Sequence, residues 1–221
     1  MTADENSASE IPLRETYAEQ LRAHALELIT LGFHRLDAPS FQHSEEDDIT
    51  GELAKAIKQV LNDPNSPEWI DRYRVQEQIP QNVDGRRGKH RPKMDIEIEH
   101  HRRGTPPRLG FEAKRLGPNH GVSNYLGEEG LLAFINGYYP TTHGEAGMLG
   151  YVQSKTPATW HQHLTAAMIS SPTRYHSRIV SHSLHTETGH AVTFCSDHGD
   201  GVPELLIVHH LLSFCQRSFE G

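Results

Sequence analysis

Cysteine is nearly missing from this 221-residue chain: Cys195 and Cys215 are the two there are. They are too few and too far apart for a disulfide framework or a zinc ribbon. No apolar run approaches the roughly 20 residues of a membrane span, and Met1 to Glu10 is acidic and polar rather than a signal sequence. A cytoplasmic setting is expected, with no membrane partner. Net positive charge is also lacking: the formal charge is −8, which argues against a generic nucleic-acid binder. Hydrophobic content is only 35% and mean hydropathy −0.62, yet the chain holds too many aliphatic residues for general disorder.

The charge is unevenly spread. Residues 72–115 hold twelve of the 21 Lys and Arg against six of the 29 acids, so this segment is +6 and the remainder −14. Within it, Arg86, Arg87, Lys89, Arg91 and Lys93 are the candidate nucleic-acid-binding side chains. The seventeen histidines are scattered along the chain. Adjacent pairs such as His100-His101 and His209-His210 point to opposite faces of a strand. His161 and His163 are off-register for joint ligation on a helix, which needs i,i+3 or i,i+4. A histidine-dependent metallohydrolase is the weakest reading.

Periodicity sets out the elements. Met1 to Glu10 reads as a disordered N-terminus, followed by a single domain over 11–221. Leu13, Tyr17, Leu21 and Leu28 predict a helix up to Gly32. Ser44-Glu45-Glu46-Asp47 opens a second helix, whose stripe is Ile49, Leu53, Ala56, Ile57 and Val60. Strands are predicted over 72–79, 93–100 and 108–114 as an antiparallel meander, then a helix over 123–137 and a buried strand over 148–152. A helix over 157–169 and late strands at 177–184, 190–195 and 204–212 follow. The expected class is α/β, a mixed central sheet flanked by helices.

The chemistry gathers on the second and third strands. Residues i and i+2 on a strand share a face, so Asp95 should lie with Glu97 and Glu99 opposite Met94, Ile96 and Ile98. Likewise Glu112 and Lys114 point together, away from Phe111 and Ala113. Neighbouring strands lie about 4.7–4.9 Å apart and Mg²⁺–oxygen bonds are about 2.0–2.1 Å, so two such carboxylates can straddle one cation. Lys114 could orient or deprotonate an attacking water and offset charge on a phosphate. Acid-x-Lys alone carries little weight, since about 0.8 chance matches are expected in a chain of this composition. Its position on a strand inside the one basic segment gives it weight.

Asp95 with Glu112-Ala113-Lys114, and Pro92-Lys93-Met94-Asp95 before them, resembles the PD-(D/E)XK (restriction-endonuclease-like) nuclease superfamily. The likeness covers about residues 44–155; Pro92 is not adjacent to Asp95, a departure from the family pattern. It implies a restriction-endonuclease-like core and a Mg²⁺- or Mn²⁺-dependent phosphodiesterase acting on nucleic acid, DNA before RNA. Asp95 and Glu112 would be metal ligands and Lys114 the catalytic lysine. Many members add an acid from the first helix. Glu46 falls on the apolar stripe and is the candidate, with Glu52 in reserve, although Glu46 could equally serve the helix dipole. Tyr138, Tyr139, Tyr151 and Gln153 follow nearby; Gln153 could hold water or phosphate, while the tyrosines suit core packing. A small nuclease of this type resembles the effectors of microbial anti-phage defence, working with a protein partner or as a homodimer. The other reading is a non-catalytic nucleic-acid- or partner-binding subunit that keeps the fold.

Overall fold

The computed structural model describes residues 10–81, 91–101, 106–141, 143–177, 190–199 and 205–216, with side chains from residue 17 onward. It is an α/β fold built on one six-stranded mixed sheet flanked by helices. Helix α1 (Glu10–Phe33) precedes α2 (Glu46–Leu61). Strands β1 (Tyr73–Pro80), β2 (Lys93–His100) and β3 (Arg108–Leu116) form the antiparallel meander. Short helices α3 (Val122–Tyr125) and α4 (Leu131–Ile135) cross to β4 (Glu145–Val152), which lies parallel to β3. Helices α5 (Pro157–Ser170) and α6 (Pro172–Tyr175) lead to β5 (Ala191–His198) and β6 (Leu205–Ser213). Strand order is β1-β2-β3-β4-β6-β5, with β6 parallel to β4 and β5 antiparallel to β6.

Each sheet face carries its own core. On one side Leu28 and Ile29 of α1 and Ile49, Leu53 and Ile57 of α2 pack on Ile96, Ile98, Phe111, Ala113 and Tyr151. On the other, Tyr125, Leu131, Phe134, Trp160, Leu164 and Met168 cover Met148, Val152 and Leu211. Full burial of one such aliphatic or aromatic side chain contributes about 1.5–3 kcal/mol. In α2 the apolar residues recur three and four apart, and Glu46, Asp47 and Asp48 complement the dipole in its first turn.

Two expectations change, and a third falls almost wholly outside the described residues. The predicted helix over 123–137 is two short helices, because the chain turns through Leu126–Gly130. In this turn a Cβ at Gly130 would lie 2.1 Å from the Tyr125 carbonyl oxygen, so the turn leaves no room for a side chain there. Of the strand expected at 177–184, residues 178–184 lie outside the described residues; Ser177 makes an isolated bridge to His198. Glu10, expected in the disordered N-terminus, already belongs to the first helix, and Met1 to Ser9 lie outside the described residues. Among the described residues, no helix is long and apolar enough to cross a membrane.

Candidate active site

Four side chains from three separate segments of the chain converge. Lys114 Nζ lies 2.9 Å from Glu112 Oε1 on its own strand and 2.9 Å from Glu46 Oε1 at the start of α2. Glu46 Oε2 accepts the Arg115 backbone N–H at 3.1 Å, so one carboxylate clips the helix start to β3. Arg115 supports the same junction from its other end, with Nη1 on the Ser44 carbonyl at 3.3 Å and Nη2 2.6 Å from Glu45. Glu52, the reserve candidate, instead pairs with Lys55 on the exposed face of α2.

Asp95 enters by an interruption of the sheet. β2 and β3 pair up to Ile96 opposite Phe111 and no further. Beyond that point Asp95 Oδ2 accepts the Ala113 N–H at 2.8 Å, a side-chain oxygen taking a donor that a continued strand would meet with backbone. Asp95 Oδ1 accepts from Gln78 Nε2 at 3.0 Å. This break corrects the simple alternation expected for β2. Met94 does not share a core with Ile96 and Ile98: it joins the opposite one, against the Gly110 backbone.

Asp95 and Glu112 are 9% and 6% exposed, deep enough for burial to dominate their chemistry. Burial pushes Asp95 up to about 6, against the Ala113 N–H and Lys114, with Glu46 and Asp47 adding to the rise. Burial and then the neighbouring Asp95 push Glu112 up to about 8, although Lys114 and Tyr139 oppose this. For Lys114, burial pulls down, but Glu112 and Glu46 outweigh it and hold the ammonium protonated. The ion pair with Lys114 and the hydrogen bond from Tyr139 favour an ionised Glu112, whereas burial and Asp95 favour a neutral one; the upward direction prevails because burial is the largest effect. Glu112 Oε2 is left buried with no hydrogen-bond partner. A buried carboxylate oxygen without a close partner is costly when ionised, and such an oxygen is of the type that hard cations take as a ligand.

The residues therefore fit a divalent cation through Asp95 and Glu112, with Glu46 one ammonium away. Among the described residues, no three His, Cys, Asp or Glu side chains are already grouped as a metal cage. The position between Glu46 and Glu112 belongs to the Lys114 ammonium.

Neighbours sort into supports and bystanders. Gln153, expected as a water or phosphate holder, is committed elsewhere: its Nε2 donates to the carbonyls of Phe41 at 3.2 Å and Ser44 at 2.8 Å. It tethers the segment leading into α2. Tyr151 shares a hydrogen bond of 3.0 Å with Thr50, one turn after Glu46. Tyr139 packs against Phe134, as expected of a core tyrosine, yet also acts on Glu112, and it lines a pocket of about 470 Å³ with Phe134, His176, His198 and Leu205. Gln78 had no signal in the sequence, since nothing in an exposed edge-strand glutamine marks it. Of the basic candidates, Arg86, Arg87 and Lys89 lie outside the described residues. Arg91 is half-buried; Lys93 is exposed at the start of β2, two residues before Asp95.

The described buried histidines serve the core. Tyr175's carbonyl can only accept, so His198 Nδ1 donates to it at 2.6 Å and its Nε2 accepts from Ser196 Oγ at 2.6 Å. Ser196 then accepts from His209 Nε2 at 2.7 Å, and His209 Nδ1 accepts from Tyr125 at 3.1 Å. Every group in that chain is satisfied with both rings neutral, and burial lowers the pKa of each. His210, on the opposite face, bonds Thr193 and Thr30 and is pushed down to about 4 by burial. The chain matches no known family model, and neither a curated protein nor a solved structure is significantly similar to it.

Proposed function

We propose that this chain is a divalent-metal-dependent nuclease with a restriction-endonuclease-like core, hydrolysing phosphodiester bonds in nucleic acid, with DNA preferred to RNA. The observation that carries the reading is the convergence of Glu46, Asp95, Glu112 and Lys114 where β2 leaves β3. Carboxyl pKa values raised by burial and by a neighbouring carboxylate, in a charge-dense cluster, support a functional site. The order helix, antiparallel meander, crossover and parallel strand is consistent with that core.

In this reading Asp95 and Glu112 hold Mg²⁺ or Mn²⁺, which when bound polarises the scissile phosphate and acidifies a water. Asp95 is oriented by one donor from each neighbouring strand. Lys114 holds an ammonium beside the reacting phosphate, where it offsets developing negative charge and orients the water. Glu46 steers that ammonium from the helix side. Lys93 and Arg91 lead nucleic acid to the site, with Arg86, Arg87 and Lys89 extending the same basic segment. The biological setting we propose is a cytoplasmic anti-phage effector that works as a homodimer or with a protein partner.

Cleavage of supercoiled plasmid, linear DNA and RNA with Mg²⁺, Mn²⁺ or EDTA tests this, comparing wild type with Glu112→Ala/Lys114→Ala. Metal-dependent cutting that disappears in the double variant is expected. Cutting that survives it removes the mechanism. A second reading, a binding subunit without turnover, draws on the closure of Lys114 by two carboxylates, which is also how a structural ion-pair network is built. It requires that calorimetry detect no Mn²⁺ site at Asp95 and Glu112.

A further inference from the structure

The β1–β2 ladder has one missing rung. Pairing runs from Tyr73 opposite His100 to Glu77 opposite Ile96, and resumes with Ile79 opposite Met94. The omitted pair is Gln78 and Asp95. At the same residue the backbone enters the left-handed region, with Gln78 at φ 52°. Glycine and asparagine occupy that region readily, and glutamine has no intrinsic reason to. The sheet is thus interrupted on both sides of Asp95: toward β1 at Gln78, and toward β3 beyond Ile96.

The side chain accounts for the residue. Gln78 Nε2 donates to Asp95 Oδ1 at 3.0 Å, while the Ala113 N–H reaches Oδ2 at 2.8 Å. One donor arrives from each flanking strand, which fixes the plane of the carboxylate. Each oxygen of an ionised carboxylate has about two acceptor positions, so one remains on each for a cation. We propose that Gln78 is a positioning residue that holds the Asp95 carboxylate in its cation-binding orientation. This rests on the nuclease reading above and goes beyond it, since Gln78 belongs to neither the acidic pair nor the catalytic lysine. Partners that orient metal ligands in this way typically contribute 10–100-fold in metal affinity.

A purely structural role would make metal binding follow stability, and two substitutions separate the two. Gln78→Met keeps the length of the side chain and the strained backbone but removes the donor. Gln78→Gly removes the donor and relieves the backbone. Mn²⁺ calorimetry and thermal unfolding are measured on wild type and both variants. Both variants are expected to bind Mn²⁺ about 10–100-fold more weakly, although Gln78→Gly melts no lower than Gln78→Met. Affinity unchanged in both, or affinity that simply follows the melting temperature, overturns the positioning role and leaves the nuclease reading intact. A wild type that binds no Mn²⁺ overturns the nuclease reading and this inference with it.

Discussion

Lys114 of β3 and Glu46 of α2, 68 residues apart in the chain, meet with Nζ 2.9 Å from Oε1. The same ammonium lies 2.9 Å from Glu112, so one positive charge serves two carboxylates while Asp95 adds a third. The cluster is short of positive charge. Lys114 is then both the lysine of the proposed mechanism and a cation in direct contact with a proposed metal ligand.

Lys114→Met should therefore abolish cleavage without weakening metal binding. Removing one charge from beside Glu112 is expected to tighten Mn²⁺ by roughly tenfold, within the range of a partly screened pair at this distance. Calorimetry reads the affinity and the plasmid assay reads the activity. Weaker Mn²⁺ binding would mean that Lys114 holds the carboxylates in place rather than competing for them.

The pH dependence has a definite sign. Asp95 at about 6 and Glu112 at about 8 lie above their ordinary values of 3.8 and 4.5, so the folded protein binds these protons more tightly than the unfolded chain does. Their contribution to stability is present at low pH and is lost as pH rises from about 4 through about 8. Without metal, the melting temperature should fall across that window. Saturating Mg²⁺ at pH 8 should restore it, with Mn²⁺ affinity rising over the same range as protons are displaced. A metal-free melting temperature that climbs from pH 5 to pH 8, with Asp95→Asn/Glu112→Gln leaving the trend unchanged, would contradict this.

Gln153→Ala should disturb the site from a distance. Its amide holds the carbonyls of Phe41 and Ser44, which lead into Glu46. Loss of these bonds is expected to cost about 1–3 kcal/mol, a drop of about 2–4 °C in Tm for each kcal/mol. Gln153→Glu should be worse, because a carboxylate would face two carbonyl oxygens. Differential scanning calorimetry of both variants decides; Gln153→Glu as stable as wild type would remove the tether.

Two glycines make an opposed pair. A Cβ at Gly147 would stand 2.1 Å from Cδ1 of Phe111, the neighbour of Glu112, whereas a Cβ at Gly51 in α2 meets nothing within 4 Å. Gly147→Ala should destabilise by about 1–3 kcal/mol or more through overpacking. Gly51→Ala should stabilise by about 0.5–1 kcal/mol through helix propensity. Urea unfolding of both tests the packing of β3 against β4.

Lys93→Ala probes the proposed nucleic-acid path. The side chain is exposed at the start of β2, so its removal should leave the fold unchanged. The slope of log K against log salt for DNA binding should fall by about 1, uniformly across sequences. An unchanged slope would exclude Lys93 from phosphate contact.

Much of the architecture was readable because its signals are local. The 3.6-residue stripe of α2, the alternation in β1 and the apolar run of β4 each follow from a few neighbouring side chains. The pairing of Glu112 with Lys114 also follows from strand alternation alone, and both bond across one face. Alternation failed at Met94, where the register breaks, and a helix expected through Gly130 gave way to a crowded turn.

What the sequence determined by itself was the inventory: which segments turn, pair or coil, and which acids and lysine are spaced to act together. Only the tertiary structure decided that Glu46 rather than Glu52 reaches Lys114, that Gln153 is a tether, and that Gln78 grips Asp95. The reason is range. Periodicity reports which side of its own element a residue occupies, through sterics acting over a few residues. Contacts across 17, 68 or 109 residues depend on how β2 leaves β3 and where α2 begins above the sheet.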